Sequence, residues 1–212
     1  MLQRHSFVRV DVAAWARFIA LRPDLATEPL IAGWVKRGFP LIARRGGGNE
    51  DADLVALGLP LPPSHGKRRI AVALPRDAIL STSQPPLLAD AAHIVPPAWR
   101  GDIERLVALS PDVRCFGSLA WQDLTGLHYL SATSDLDLLW PLPASGMLDD
   151  LLTEIAEIDA NAPMRIDGEI VAPAGGVNWR ELHEITNSEV LLKSLDGVSM
   201  LPRAMFLSGA AA

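Results

Sequence analysis

Two aspartates, Asp135 and Asp137, stand in the run Thr133-Ser134-Asp135-Leu136-Asp137-Leu138-Leu139-Trp140. The apolar residues of that run read as a buried strand. Side chains alternate faces along a strand, so the two carboxylates point the same way, about 6.5 Å apart along the chain. Leu136 and Leu138 then point the other way, toward a core. Two carboxylates that close repel each other unless a cation lies between them or one takes up a proton. Upstream, Phe116-Gly117-Ser118 ends a second apolar run and opens a helix. Backbone N–H groups at the start of a helix suit a phosphate. Carboxylates for a divalent metal and a Gly-Ser turn for a phosphate point together to phosphoryl chemistry.

The elements around these residues follow from spacing and breakers. Ser6 to Val10 reads as a short strand, and Asp11 as the N-cap of a helix carrying Trp15, Phe18 and Ile19 up to Pro23. Thr27 is expected to cap a second helix with Pro29 in its first turn, ended by Gly38. Phe39 to Ala43 reads as a strand running into Arg44-Arg45-Gly46-Gly47-Gly48-Asn49. That loop is either a flexible connector with solvated arginines or a phosphate site, with Arg44 and Arg45 reaching a phosphate chain. It is not a Walker A motif, and neither is Gly66-Lys67, which Arg68 follows. Leu57 to Pro63 reads as an apolar stretch broken by prolines, and Ile70 to Leu74 as a strand. Ser81-Thr82-Ser83-Gln84-Pro85-Pro86 reads as a linker, which sets two domains, 1–84 and 85–212.

In the second half, Pro96-Pro97 opens a helix with Ile103, Leu106, Val107 and Leu109 at helical spacing. Strand Val113 to Phe116, a short helix through Trp121, the loop Thr125 to Leu130 and the Asp135/Asp137 strand follow. Gly146 to Ile158 is amphipathic, with Leu148, Leu151, Leu152, Ile155 and Ile158 on one side. Met164 to Val171 reads as two short strands around an Asp167-Gly168 turn. A helix around Trp179 to His183 precedes a last hairpin, Val190 to Lys193 and Val198 to Leu201, and the chain is expected to fray from Ser208.

With 212 residues the chain can bury a substantial core. A net charge of -6 argues against a general nucleic-acid binder, though a local basic cluster can still take a polyphosphate. The single cysteine, Cys115, excludes an internal disulfide framework or a cysteine zinc site and reads as a buried strand residue. Charges at Arg4, Arg9, Asp11 and Arg17 interrupt any signal-peptide core, and no uncharged apolar stretch approaches the ~18–20 residues of a membrane helix. A cytoplasmic protein without membrane or nucleic-acid partners is expected.

The order helix, strand, Gly-Ser, helix, strand with Asp-x-Asp, helix, strand with an acid resembles nucleotidyltransferases of the DNA polymerase β type. The resemblance implies a mixed sheet with flanking helices, preceded here by a small N-terminal α/β domain, an α/β (α+β) class overall. It also implies a metal set of Asp135, Asp137 and a third acid. Asp167 fills that place, with Glu169 as the alternative and a plain Asp-Gly turn as the rival use of Asp167-Gly168. Mg2+ is the implied cofactor, since it suits carboxylate oxygens and keeps substrate phosphates as further ligands.

Longer stretches narrow this. Phe116-Gly117-Ser118-Leu119-Ala120-Trp121-Gln122-Asp123-Leu124-Thr125-Gly126-Leu127, then Ser134 to Trp140, Pro40 to Arg45, Leu59 to Pro63, and Gly175 to Leu182 resemble the phosphoribosyl-dephospho-CoA transferases of malonate decarboxylase. These are also called holo-acyl-carrier-protein synthases. The resemblance implies transfer from 2'-(5''-triphosphoribosyl)-3'-dephospho-CoA to a serine of the apo acyl-carrier subunit of malonate decarboxylase, with loss of pyrophosphate. Gly117 and Ser118 would then meet the triphosphate, and Lys193, Arg44 and Arg45 would neutralise the pyrophosphate. The N-terminal domain would bind substrate or partner. Two rivals stay open on the residues alone: a nucleotidyltransferase with another acceptor, and a non-catalytic module that binds the carrier.

Overall fold

Two separate sheets take up the apolar strands, one in each half of the chain, as a computed structural model describing residues 2–46 and 53–209 places them. The chain divides into two units, Met1–Gln84 and Pro85–Ala212. The mixed helix and sheet content is the α/β class expected from the sequence.

The first unit runs β1 (Phe7–Val10), α1 (Val12–Ala20), α2 (Pro23–Ala26), α3 (Pro29–Ala32), β2 (Leu41–Ala43), β3 (Leu54–Pro60), β4 (Arg69–Pro75) and β5 (Ile79–Ser83). Its sheet has the order β4-β3-β2-β1-β5 and is antiparallel throughout. The Asp11 carboxylate accepts from Ala14 N at 2.9 Å and caps α1. Trp15 and Trp34 are buried, and each indole N–H donates to a backbone carbonyl, Trp15 to Ile31 and Trp34 to Pro40.

Two expectations fail here, and one stretch that was given no element proves to be a strand. Ser81 to Ser83 is no linker but part of β5, paired with β1 through Phe7–Ser83, Val8–Thr82 and Arg9–Ser81. Its side chains are exposed, so its composition resembles a loop while its backbone is satisfied by the sheet. The proline-broken stretch is strand β3 up to Pro60, which closes the strand at a position where a missing N–H is tolerated. Thr27 does not open the second helix but ends α2 as its C-cap: α3 is a single turn after Glu28, and a 3-10 turn at Val35–Arg37 follows it.

The second unit runs α4 (Leu88–Ala91), α5 (Arg100–Leu109), β6 (Arg114–Cys115), α6 (Gly117–Thr125), β7 (Leu136–Pro141), α7 (Leu148–Asn161), β8 (Ile166–Ala172), β9 (Gly175–Asn178), α8 (Trp179–His183), β10 (Glu189–Lys193), β11 (Val198–Pro202) and α9 (Arg203–Leu207). The sheet order is β11-β10-β9-β8-β7-β6. Only β7 and β8 pair in parallel among these neighbours, which requires a crossover, and α7 supplies it. The inward stripe of α7 (Leu148, Leu151, Leu152, Ile155, Ile158) is buried, and α7 packs against α5 and α8.

The expected Asp167-Gly168 turn is not a turn. β8 runs straight through it, in register with β7 from Leu136–Ile166 to Pro141–Val171. The hairpin comes later, through Pro173 and Ala174 into β9, a strand the sequence reading did not separate. A Cβ on Gly168, at φ +156°, would lie 2.2 Å from the Leu138 carbonyl oxygen and 2.8 Å from the Trp140 ring. The glycine therefore serves close approach of two strands, not chain reversal. No helix among the described residues is long and apolar enough to cross a membrane. Of the expected tail, Ser208 and Gly209 form a turn after α9, and Ala210 to Ala212 lie outside the described residues.

Candidate active site

The alternation of β7 decides which side chains are available. Leu136, Leu138 and Trp140 are fully buried, while Asp137, and Asp135 just before the strand, are half-buried on the opposite face. Asp167 sits beside Asp137 in the parallel register, so its carboxyl shares that face. Three acids from two adjacent strand starts are thus brought to one surface. The loop ahead of Asp135 is tied down: Gln122 Oε1 accepts from Tyr129 N and Leu130 N, both at 3.0 Å. Ser131 N then donates to Ser134 Oγ at 2.9 Å, and Ser134 N to the Ser131 carbonyl at 3.1 Å.

Arg165 lies across two of the acids. One of its terminal nitrogens, Nη2, donates to Asp135 Oδ2 at 2.6 Å and to Asp167 Oδ2 at 3.2 Å. This hydrogen bond and charge hold the Asp135 carboxyl below the usual carboxylate range, and the acids push the guanidinium still higher. The other oxygen of Asp167 accepts from Gly168 N at 2.8 Å and Asn178 Nδ2 at 3.1 Å. Asn178 works at both ends of its amide, because its Oδ1 accepts from Arg180 N at 3.0 Å and caps α8. Asp159, near the end of α7, steadies the start of β8: its Oδ1 accepts from Ile166 N at 2.8 Å and from Arg180 Nη2 at 2.9 Å.

Gly117 meets the acids from above β7. A Cβ there, at φ +59°, would fall 1.9 Å from Asp137 Oδ2, so any other residue would displace that carboxylate. Phe116 N donates to the Asp137 carbonyl at 2.9 Å, which pins the first turn of α6 to the strand. Ser118 is half-buried in that first turn, and no side chain at Phe116 caps the helix. N–H groups at such a start favour anionic oxygens.

Glu169, the alternative third acid, lies two residues along β8 from Asp167 and so on the same face. It is 4% exposed and pairs with Lys193, whose Nζ is 3.6 Å from Glu169 Oε1. A buried acid needs such a partner. Lys193 is thus near the acid face but engaged by Glu169. Arg44 and Arg45 belong to the first unit. Arg44 donates through Nε to the Leu57 carbonyl at 3.0 Å and through Nη1 to the Arg45 carbonyl at 3.0 Å, while Arg45 is exposed. Gly47, Gly48 and Asn49 of that loop lie outside the described residues.

Among the described residues, no three acid, histidine or cysteine side chains are drawn together as a ready cage for a metal ion. The donors themselves are hard carboxylate oxygens on one face, and they suit Mg2+.

Comparison with known proteins gives the kinship of the chain. A family model described as phosphoribosyl-dephospho-CoA transferase MdcG C-terminal domain matches residues 87–204, and one for the N-terminal domain matches residues 3–85. The chain belongs to the phosphoribosyl-dephospho-CoA transferase family. Family members are transferases, and so is this protein. A phosphoribosyl-dephospho-CoA transferase of Bradyrhizobium diazoefficiens is 44% identical over 212 residues, covering 98% of this chain and 93% of that protein. One from Xanthomonas campestris pv. campestris is 35% identical over 208 residues, covering 96% and 95%. A Pseudomonas aeruginosa protein of the same description is 30% identical over 161 residues, covering 71% and 72%. No solved structure matches the chain.

Within this family member, Arg165 and Asn178 are the residues of the acid face that sequence reading passed over. Arg165 was legible in principle, since it stands two residues before Asp167 and a strand of period two returns it to the same face. Asn178 had no such signal, because its contact with Asp167 depends on β9 pairing with β8.

Proposed function

We propose that this transferase moves the phosphoribosyl-dephospho-CoA group from 2'-(5''-triphosphoribosyl)-3'-dephospho-CoA to a serine hydroxyl of the apo acyl-carrier subunit of malonate decarboxylase. In that reaction the serine oxygen bonds to the phosphorus next to the ribose. The bond from that phosphorus to the bridging oxygen breaks, pyrophosphate leaves, and the serine proton passes to a base or to water. The observation that carries this reading is the register of Asp137 against Asp167, with Gly117 lying directly over the Asp137 carboxylate. Acids and a helix start on one spot suit a reaction that needs a phosphate chain held still while charge develops on it.

Asp135, Asp137 and Asp167 would hold Mg2+, in a two-metal arrangement of the polymerase β type. When bound there, Mg2+ would supply charge neutralisation for the transferred phosphate. The N–H groups at Gly117 and Ser118 orient the donor phosphates. Asn178 and Gly168 fix one oxygen of Asp167, and the other, held by Arg165, would serve the metal. The pyrophosphate roles of Arg44, Arg45 and Lys193 rest on charge alone, and the involvement of the first unit in binding the carrier rests on the family resemblance.

The test is the intact mass of purified apo carrier subunit after incubation with this protein, Mg2+ and the triphosphoribosyl donor. A gain equal to the phosphoribosyl-dephospho-CoA group, with pyrophosphate released in equal amount, is expected. An unchanged carrier mass with active donor would contradict the assignment.

A further inference from the structure

The acid face carries its own cation. Arg165 Nη2 reaches Asp135 Oδ2 and Asp167 Oδ2 together, and the arginine side chain is 55% exposed. A half-exposed guanidinium can rotate away without opening the core, while its backbone carbonyl keeps the hydrogen bond from Leu136 N at 2.9 Å. A metal ion entering at Asp135 Oδ2 and Asp167 Oδ2 competes with this guanidinium for the oxygens it already holds, and the two cations repel each other at that range.

We propose that Arg165 is the built-in counter-ion of the metal site: it neutralises Asp135 and Asp167 in the metal-free protein and must release both before a divalent ion binds. This rests on the metal reading given above. Two consequences follow from charge balance. Asp135 and Asp167 share one guanidinium without metal, so the repulsion between them is already offset. The intrinsic affinity for metal is held down, because every binding event breaks two ion pairs. The released guanidinium, with its planar fork of donors, then stands beside the acids with a geometry that fits phosphate oxygens. Polyphosphate arriving with metal would stabilise the released position, so metal and donor would load together. Arg165 is in this sense a positioning residue.

The test measures Mn2+ binding to the full-length protein without donor, following free Mn2+ by electron paramagnetic resonance, for wild type, Arg165→Ala, Arg165→Lys and Asp137→Asn. Arg165→Ala is expected to bind Mn2+ about fivefold more tightly than wild type, the size that two partly exposed ion pairs supply between them. Arg165→Lys, which keeps the charge, is expected to stay near wild type, and Asp137→Asn to lose the site. A role for Arg165 only in holding the fold would not raise metal affinity. Equal or weaker binding by Arg165→Ala, with Asp137→Asn still defective, would overturn the counter-ion role and leave the metal site standing. Binding that is the same in all four proteins would overturn the metal site and the counter-ion role with it.

Discussion

At Asp167 the two carboxylate oxygens have different surroundings: Oδ1 takes Gly168 N and Asn178 Nδ2, and Oδ2 faces Arg165. Asn178→Asp separates the two duties of that side chain. An aspartate can still cap α8, but it donates nothing to Asp167 and repels it. If Asp167 holds metal as proposed, the variant is expected to melt near wild type while transfer falls roughly 10- to 100-fold. Initial transfer rates and a thermal melt on the same sample check this, and unimpaired transfer would remove Asn178 from the site. Cys115 offers an independent check on the core beneath the acids. Burial pushes its thiol up to about 12, so the folded protein keeps the proton where an unfolded thiol, near 8.5, loses it. Its contribution to stability is therefore complete below about pH 8.5 and declines as pH rises toward 12. The native protein is expected to resist a thiol reagent at pH 8 and to react once unfolded; rapid labelling of the native form would show the strand to be open. At this scale the sequence was informative where period two applies. Asp135 and Asp137 share a face as alternation requires, and Arg165 obeys the same rule. Asp167 was already preferred to Glu169 from the sequence; the strand register and the Lys193 partner of Glu169, which bear on that choice, lie outside local sequence.

Among the elements, two glycines do the positioning that the helices and strands cannot. Gly168 lets β8 lie against β7, and Gly117 lets α6 start directly on Asp137. Gly168→Ala forces a Cβ to 2.2 Å from a backbone oxygen, which cannot yield as a flexible side chain would. A loss of about 3 kcal/mol in denaturant unfolding is expected. Gly117→Ala meets the end of the Asp137 side chain instead, which can rotate aside. There the fold is expected to survive and transfer to drop roughly 100-fold, because the carboxylate is misplaced. Near-normal transfer by Gly117→Ala would detach α6 from the chemistry. Elements with strong local signals were legible: Asp11 capping α1, the stripe of α7, and the last hairpin. β5 and the continuous β8 were not. A polar exposed strand looks like a linker, and Asp-Gly looks like a turn, until a neighbouring strand is known to satisfy the backbone.

For the whole molecule, two units of separate sheet topology divide at Gln84 and Pro85, and the two family models meet within the same stretch. The second unit holds every acid of the candidate site, and the first holds Arg44 and Arg45. If the first unit serves donor or carrier binding, residues 85–212 alone, where they retain a cooperative melt, should transfer far more slowly than the full chain; full-rate transfer would show the first unit to be dispensable. The mixture of helices and strands was legible from patterning, and the α/β class expected came with the family resemblance. The substrate was not, because residue spacing describes phosphoryl chemistry and leaves donor and acceptor to family kinship. The central claim is that Asp137, between Gly117 and Asp167, is where transfer occurs. The measurement that tests it most directly is the mass of apo carrier subunit after incubation with Asp137→Asn, Mg2+ and the triphosphoribosyl donor, beside a thermal melt of the variant. The carrier is expected to gain no mass while the melt stays near wild type. Prosthetic-group attachment at a near-wild-type rate would contradict the account.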